Sequence, residues 1–356
     1  MSLLTTLFPI PQFFALPAVG IDFSDAAMRY VELTPITNGV APKRFGEVMI
    51  PVGCMQGGRV ADEKQFTEFL RTVKKDYKFE FVRVAIPESQ VYLFTLSVDI
   101  AAANDIRAAI ELVIEDNIPL RAAETIFDFS ILKTSGTAII VQVVAVSEAT
   151  ATTLHNCFIN AGMKPMSFEL DAQAIGRAVL PTSSRGCRMI VDIGAHRTGI
   201  IITTEGSVVY TATIEFGGEM LSKIISTKLA ITPAEAEELK KTVGLSHSPE
   251  HAAFFEVLSA SIVPLKDEIN RRYFYWQEKK EQLGGFPSIE TIYICGGHSN
   301  LHGLNDYLGA TLKLPVMQAN PWVNCFSFDE YIPEIPFETS MSYVTAVGLA
   351  LADHTS

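Results

Sequence analysis

Residues 19–24, VGIDFS, and residues 191–195, VDIGA, share one design, and the repetition of that design decides the predicted fold. In each, an apolar run that suits a buried strand carries an aspartate at its end, Asp22 or Asp192, and a tight turn leads into an apolar return segment. The two aspartates are about 170 positions apart, a separation that fits two copies of one domain. We therefore expect two lobes that each begin with a β-hairpin and face a common cleft.

Strands and helices alternate along the rest of the chain, which favours an α/β fold. Residues 82–86, 137–146 and 291–295 are β-branched apolar runs typical of buried strands. Residues 106–117 have apolar side chains at helical spacing, and Pro119 stops that helix. The turn-rich segment 181–186 predicts a linker between the two halves, because the strand pattern begins again directly after it.

The composition is typical of a folded protein of two domains or so. The chain has 356 residues, of which 48% are apolar and 19% charged. The net charge is −12, from 28 basic and 40 acidic side chains, and no Lys/Arg cluster appears, so no nucleic-acid partner is expected. Five scattered cysteines without a CxxC pair are predicted to be free thiols in a reducing cytoplasm.

No direct membrane span is predicted, because no apolar run reaches the ~18–20 residues that a spanning helix needs. Residues 1–17 are apolar, but Pro9, Pro11 and Pro17 would break the helical core of a signal peptide. We expect this segment to be an extended arm that covers its own domain or meets a partner.

An ATP site between two lobes could be built from the repeated hairpins. Asp22 and Asp192 would face a divalent cation, directly or through water. The turn amides that follow each aspartate would face the phosphates, since turns without bulky side chains allow close approach of the backbone. Gly296 and Gly297, after a strand, would leave room for an adenine. Each element alone is a common turn, so the prediction rests on the order and spacing of all of them.

Several segments resemble the actin-like ATPase superfamily: VGIDFSDAAMRYVEL, IVDIGAHRTGIII, TIEFGGEML and ICGGHSNLHGL. Within it, the phrases AIPESQVYLFTL, IELVIEDNIPL and ITPAEAEELKK are similar to the PilM family of type IV pilus assembly. The resemblance runs from about residue 18 to the end of the chain. It implies an actin-like, ribonuclease H-like two-domain fold with an interdomain cleft that holds ATP and Mg.

The resemblance also implies roles for individual residues. The metal residues are Asp22 and Asp192, which would hold Mg directly or through water. Glu169 and Asp171 are both candidates for positioning the attacking water, and the sequence leaves that choice open. The cofactor-binding residues are Asp22, Phe23, Ser24, Asp25, Ala26, Asp192, Gly194, Ala195, Thr198, Gly217, Gly218, Gly296, Gly297, Ser299 and Asn300.

Two departures from the family pattern affect the expected activity. Ser24 stands where the first loop usually has glycine, which restricts the backbone near the phosphates. His196 and Arg197 replace small polar residues in the second loop, and Arg197 either contacts a phosphate or is a solvated turn residue. We therefore expect nucleotide binding and, at most, a weak ATPase.

The predicted division of the chain follows the same family pattern. It has an arm at 1–17, a first lobe core at 18–50 and 141–182 to which 341–356 return, and an inserted subdomain at 51–140 with a partner-peptide groove. The second lobe core is predicted at 183–220 and 285–340, with an inserted helical subdomain at 221–284.

The predicted function is a nucleotide-gated scaffold. The family resemblance implies a cytoplasmic protein, recruited to the inner membrane, that captures the N-terminal tail of a PilN-like protein. A sugar-kinase-like phosphotransferase and an FtsA-like, filament-forming protein remain alternatives, and self-association is open. The last residues carry no Lys or Arg, which disfavours the basic membrane helix of FtsA-like proteins.

Two other patterns are interpreted as structural. The pairs His247/His251 and His298/His302 have metal-ligand spacing but no evident third ligand. The charged residues of 235–241, Lys240 among them, are interpreted as a solvated helix face.

Overall fold

The computed structural model describes residues 18–99, 105–282 and 285–354. The arm predicted at residues 1–17 lies outside these ranges.

A five-stranded sheet forms the core of the first lobe. Its strands are arranged in the order β10-β6-β1-β2-β3, with β1, β2 and β3 antiparallel and β6 and β10 parallel to β1. The strands are β1 (Val19–Phe23), β2 (Ala27–Ile36), β3 (Gly39–Met49), β6 (Phe81–Ile86) and β10 (Lys164–Leu170), and a small ribbon of β4 (Met55–Gln56) and β5 (Arg59–Val60) follows β3.

A second five-stranded sheet repeats this topology in the second lobe, in the order β13-β12-β11-β14-β15. Its strands are β11 (Cys187–Ile193), β12 (Thr198–Thr204), β13 (Ser207–Ile214), β14 (Ile289–Cys295) and β15 (Val316–Gln318). Three antiparallel strands are again followed by two parallel ones. The predicted duplication of an α/β unit is confirmed.

A third sheet, here called the inserted sheet, has the order β7-β9-β8 and is antiparallel. Its strands are β7 (Val91–Asp99), β8 (Thr125–Ser135) and β9 (Ala138–Ser147). Along β9, Val141, Val143 and Ala145 are buried on one face, together with Ile110 and Ile114 of a helix. On the other face, Val146 packs in the core of the first lobe and Ile140 in the core of the second.

The helices pack on the two lobes and against each other where the lobes meet. They are α1 (Glu63–Tyr77), α2 (Ile106–Asn117), α3 (Glu148–Asn160), α4 (Asp171–Val179), α5 (Gly218–Leu229), α6 (Pro233–Thr242), α7 (Ala252–Gln282), α8 (Leu304–Leu312), α9 (Phe337–Ser340) and α10 (Val344–Ala350). A Cβ at Gly348 would lie 1.8 Å from the Ala174 carbonyl oxygen, so α10 and α4 touch through their backbones. One apolar cluster joins both lobes at this crossing, with Val31 and Val347 on one side and Ile190 and Val208 on the other.

The inserted subdomain is smaller in the structure than the predicted range 51–140. β6 pairs in parallel with β1 and β10, which places residues 81–86 in the central sheet of the first lobe. Helix α1 also packs in the first-lobe core, through Phe66 and Leu70. Strand pairing between distant segments decides the boundary of the inserted subdomain. Such pairing cannot be predicted from hydrophobic periodicity.

In the part of the chain that the structure describes, no helix combines the length and the apolarity that crossing a membrane requires. All five cysteines are buried free thiols, as predicted.

Candidate functional site

Three carboxylates from the two lobes meet at the cleft. Asp22 is next to last in β1, Asp192 is next to last in β11, and Asp171 begins α4. Burial first, and then the charge of Asp22, raise the pKa of Asp192 to about 6. Burial likewise raises the pKa of Asp171 to about 8, with Asp22 again adding to the shift. Asp22 therefore lies close enough to Asp171 and Asp192 for its charge to act on both.

These carboxylates suit a hydrated cation. Burial also raises the pKa of Asp22, while Arg29 opposes that shift. Like charges held together in a poorly solvated crevice attract a positive ion. Mg²⁺ keeps several waters and is usually bound by one or two carboxylates plus substrate phosphates. Among the described residues, no group of three or more His, Cys, Asp or Glu side chains is arranged to hold a metal ion.

The structure separates the two candidate residues for positioning water. Asp171 lines a cavity of about 140 Å³ between the lobes, here called the interlobe cavity, together with Asp192 and Arg197. Its carboxylate accepts hydrogen bonds from the amides of Glu88 (3.1 Å) and Ala172 (2.6 Å). Glu169 is absent from the lining of this cavity. Asp171 is thus the acid that faces Asp192.

The first predicted phosphate turn is formed, but its side chains are engaged elsewhere. Phe23 is buried, with its ring against that of Phe66. The Ser24 amide donates to the Ala27 carbonyl oxygen (2.8 Å), which closes the turn. The Asp25 carboxylate accepts hydrogen bonds from the amides of Gly57 and Gly58, at 2.7 and 2.9 Å. Any role of Phe23 or Asp25 toward a ligand is therefore limited to the backbone.

The second turn is tied to the start of α5. The Gly194 and Ala195 carbonyls accept hydrogen bonds from the amides of Gly218 (3.0 Å) and Glu219 (2.9 Å). Thr198 is fully buried, and its hydroxyl donates to the Phe216 carbonyl oxygen at 2.7 Å. Its hydroxyl therefore holds the turn in place, and a contact of Thr198 with a ligand stays a prediction for its backbone.

The glycine pair after β14 packs directly on Asp192. Gly296 has φ +96°, and a Cβ there would lie 2.4 Å from Asp192 Oδ1. The Cys295 thiol is 3.9 Å from the same oxygen. The side chains of Ser299 and Asn300 are engaged, with Gln318 (3.0 Å) and with the Glu338 carbonyl oxygen (2.9 Å). They stabilise the loop, which leaves Gly296 and Gly297 as the close-approach positions.

Sequence reasoning missed a buried polar cluster beside these loops. Lys240 is only 3% exposed, so its assignment to a solvated face is wrong. Its ammonium group donates to the Gly218 carbonyl oxygen (3.0 Å) and pairs with Glu237 (2.7 Å). His298 Nδ1 is buried without a hydrogen-bond partner, 3.9 Å from Glu237. The apolar spacing of α6 is weak, and only contact with Gly218 in α5 shows that Lys240 faces inward.

One hydrogen bond crosses the cleft. The Thr213 hydroxyl in β13 donates to the Glu88 carboxylate, in the loop after β6. Arg197, at the mouth, pairs with Glu215 at 3.2 Å and is 44% exposed. The Arg197 guanidinium is thus a partly solvated group paired with an acid, at the edge of the interlobe cavity.

An apolar groove lies between the inserted sheet, α3 and the strands β6 and β10 of the first lobe. It encloses about 450 Å³ and is here called the tail groove. Consecutive strand residues point to opposite faces. Three consecutive residues of β8 line the groove: Ile126, Phe127 and Asp128. The groove therefore reaches the edge of β8 as well as one face of the inserted sheet. Its remaining lining residues are Ile86, Val91, Val144, Val146, Ala151, Thr152, His155, Phe168 and Leu170.

The duplicated sheets, and the carboxylates that converge between them, define a protein with the actin-like ATPase fold. The family model described as "Type IV pilus assembly protein PilM" matches residues 20–354. The chain belongs to this family, as the sequence resemblance predicted.

The chain is also similar to several known proteins. A PilM–PilN type IV pilus biogenesis complex superimposes with a TM-score of 0.75 at 21% identity, over 95% of this chain and 98% of that chain. MreB5 of Spiroplasma citri bound to ADP gives a TM-score of 0.52 at 15% identity, covering 87% and 93%. Cell division protein FtsA of Bacillus subtilis (strain 168) is 31% identical over 182 residues, which span 50% of this chain and 40% of that protein.

Proposed function

We propose that the chain binds ATP with a magnesium ion between its lobes and serves as a cytoplasmic scaffold of type IV pilus assembly. In that role it captures the N-terminal tail of a PilN-like inner-membrane protein. The observation that carries the nucleotide site is that Asp171 and Asp192, from the two lobes, line one cavity, with Asp22 near enough for its charge to act on both.

Magnesium bound there would neutralise charge on the phosphates. Asp22 and Asp192 would hold the ion, largely through its waters. The backbone turns after each aspartate would face the phosphates, with Gly296 close to the nucleotide. Asp171, rather than Glu169, would orient a water molecule. The ADP-bound state of the structurally similar MreB5 supports nucleotide binding in this fold.

Cleft closure would be the signal that a scaffold transmits. A ligand that touches both lobes favours the lobe angle at which both contacts form. Glu88 and Thr213 already link the lobes by a hydrogen bond, beside Asp171. The inserted sheet also reaches the second lobe, where the Lys133 ammonium lies 4.0 Å from the Phe286 ring centroid. A change in lobe angle would therefore also change the contacts of the inserted sheet.

The tail groove is the proposed partner site. Its lining is mostly apolar, with Asp128, Thr152 and His155 as the polar members. In the described residues β8 pairs with β9 alone, which leaves the other edge of β8 unpaired. An extended peptide can add to such an edge while its apolar side chains enter the groove. The similar fold of a PilM–PilN complex supports a PilN-like occupant. Capture of the tail would hold this protein at the inner-membrane face.

Thermal melting tests the nucleotide site. MgATP should raise the Tm of the wild-type chain, and Asp192→Asn should remove most of that rise. Glu290→Gln is the matched control, because Glu290 pairs with Arg188 at the opposite end of the same sheet. A wild-type Tm that does not respond to millimolar MgATP would count against the cleft.

Fluorescence anisotropy tests the partner site. A labelled N-terminal tail peptide of the PilN-like protein encoded with this chain should bind saturably to the folded protein. Absence of binding by folded wild-type protein would reject the scaffold role. A coupled assay over a sugar panel addresses the kinase alternative, and turnover of any sugar would favour it.

A further inference from the structure

A polar cavity adjoins the tail groove. It encloses about 460 Å³ and is here called the hinge chamber. Ser130 and Gln142 come from the inserted sheet, Arg177 from α4, Arg185 from the linker and Glu205 from the turn between β12 and β13. The chamber is thus built by the inserted sheet and both lobes, at the end of the second sheet away from Asp192.

Gln142 presents an unused hydrogen-bond donor to this chamber. Its side chain is 3% exposed, and Nε2 has no hydrogen-bond partner. The other end of the amide, Oε1, accepts from the Ser130 hydroxyl at 3.4 Å. A buried amide without a partner is costly, and a ligand that supplies an acceptor oxygen recovers that cost. The chamber therefore contains a buried donor, Gln142 Nε2, that an acceptor oxygen of a ligand would satisfy.

The tail groove and the hinge chamber share one face of the inserted sheet. Ile126 pairs with Val146, and Ser130 pairs with Gln142. Alternate residues of a strand point to the same face, so these side chains form one row that changes from apolar to polar. Four residues of extended chain cover about 13 Å. A short tail lying along β8 would pass from the groove into the chamber.

The charges of the chamber suit a neutral polar group. Arg177 pairs with Glu169 at 2.7 Å, and Arg185 lies 3.9 Å from Glu205, so two cations face two anions. A free phosphate would meet as many negative as positive groups, whereas side-chain amides and hydroxyls need no excess charge. This balance favours a polar side chain of a peptide over an inorganic anion.

We propose that the hinge chamber is a polar subsite of the tail groove, in which Gln142 donates a hydrogen bond to an oxygen-bearing side chain of the bound tail. This residue lies about four positions from the apolar residue that fills the groove near Val146. The inference rests on the proposed tail capture. It adds a requirement for the partner: an apolar anchor must be followed, or preceded, by a polar residue at that spacing. A tail in this position also contacts the second lobe, at Glu205.

A double-mutant cycle tests the subsite with the tail peptide of the PilN-like protein. Gln142→Met, which keeps the side-chain length but removes the amide, should weaken binding about 10-fold. The control Gln277→Met replaces a glutamine of α7, which bonds Ser288 on the second lobe, and should bind as wild type. Changing each tail residue to alanine should identify one polar position whose effect disappears in Gln142→Met. Gln142→Glu, a near-isosteric variant, should also weaken binding.

The outcomes separate the two proposals. Tight binding by wild type, with Gln142→Met and Gln142→Glu unchanged or with no tail position coupled to Gln142, overturns the subsite alone. No binding by folded wild type overturns tail capture and the subsite together. Inorganic phosphate should not compete with the tail, and Gln142-dependent competition by phosphate would overturn the peptide assignment of the chamber.

Discussion

Glu169 and Asp171 line different cavities, although a single residue lies between them in the chain. The Glu169 carboxylate is held by Arg177 at 2.7 Å and faces the hinge chamber. Asp171 faces Asp192 in the interlobe cavity. β10 ends at Leu170 and α4 begins at Asp171, so the chain changes direction between the two acids. Their surroundings and their expected roles differ for that reason.

Asp171→Asn should flatten the dependence of stability on pH. Burial first, and then the charge of Asp22, raise the pKa of Asp171 from 3.8 to about 8. Between these values the folded chain keeps a proton that the unfolded chain releases, so the free energy of unfolding falls as pH rises. Without magnesium, the wild-type Tm should drop from pH ~5 to pH ~8, and the variant should drop less. Asp192, with a pKa of about 6, supplies part of the remaining slope.

Glu169→Gln is the comparison for this experiment. It weakens the pair with Arg177 but keeps Asp171, so the pH slope that Asp171 supplies should remain. A slope in Asp171→Asn equal to the wild-type slope would contradict the assigned pKa of Asp171.

Gly296→Ala should disable the nucleotide response. The new Cβ would lie 2.4 Å from Asp192 Oδ1, so the carboxylate must move. Gly53→Ala is matched in backbone strain, since φ is +90° there and no atom lies within 4 Å of its Cβ. Each variant should lose about 1–3 kcal/mol of stability from the strained backbone. Gly296→Ala should lose more, because its Cβ would also lie 2.5 Å from the Ile193 carbonyl oxygen. Loss of the MgATP-induced rise in Tm is expected for Gly296→Ala alone, and loss in both would exclude the steric explanation.

Lys240→Met should be strongly destabilising. It leaves the Glu237 carboxylate partly buried without its ammonium partner, a change that typically costs about 3–5 kcal/mol. Lys241→Met, at the exposed neighbouring position, should change the free energy of unfolding by less than about 0.5 kcal/mol. Urea unfolding curves measure both values. Equal effects of the two substitutions would show that Lys240 is not buried in solution.

Val144→Asp should abolish tail binding. Val144 is half-buried in the tail groove, where a carboxylate would face apolar side chains and the apolar anchor of the tail. Leu112→Asp is the control, because Leu112 is 86% exposed on α2, which covers the opposite face of the inserted sheet. Binding of the tail peptide should fall at least about 10-fold in the first variant and stay unchanged in the second.

Ile126→Asp, at a position that is 47% exposed at the sheet edge, provides a second groove variant with less risk to folding. Wild-type affinity in both groove variants would place the tail elsewhere.

The repeated hairpins, the family and the bounds of many helices and strands could be predicted from local sequence patterns. The helix predicted at residues 106–117 has those bounds in the structure, since apolar spacing and a following proline act within a few residues. The aspartates at the strand ends could be predicted for the same reason: a strand and its turn are specified by neighbouring residues.

The tertiary structure alone decided which side chains share a cavity. Pairing of β6 with β1 set the boundary of the inserted sheet, packing of α6 on α5 buried Lys240, and the change of direction after β10 separated Asp171 from Glu169. These outcomes depend on contacts between residues far apart in the chain. Periodicity and spacing show only which nearby residues of one helix or strand share a face. They could not predict which residues from distant parts of the chain pack against that face.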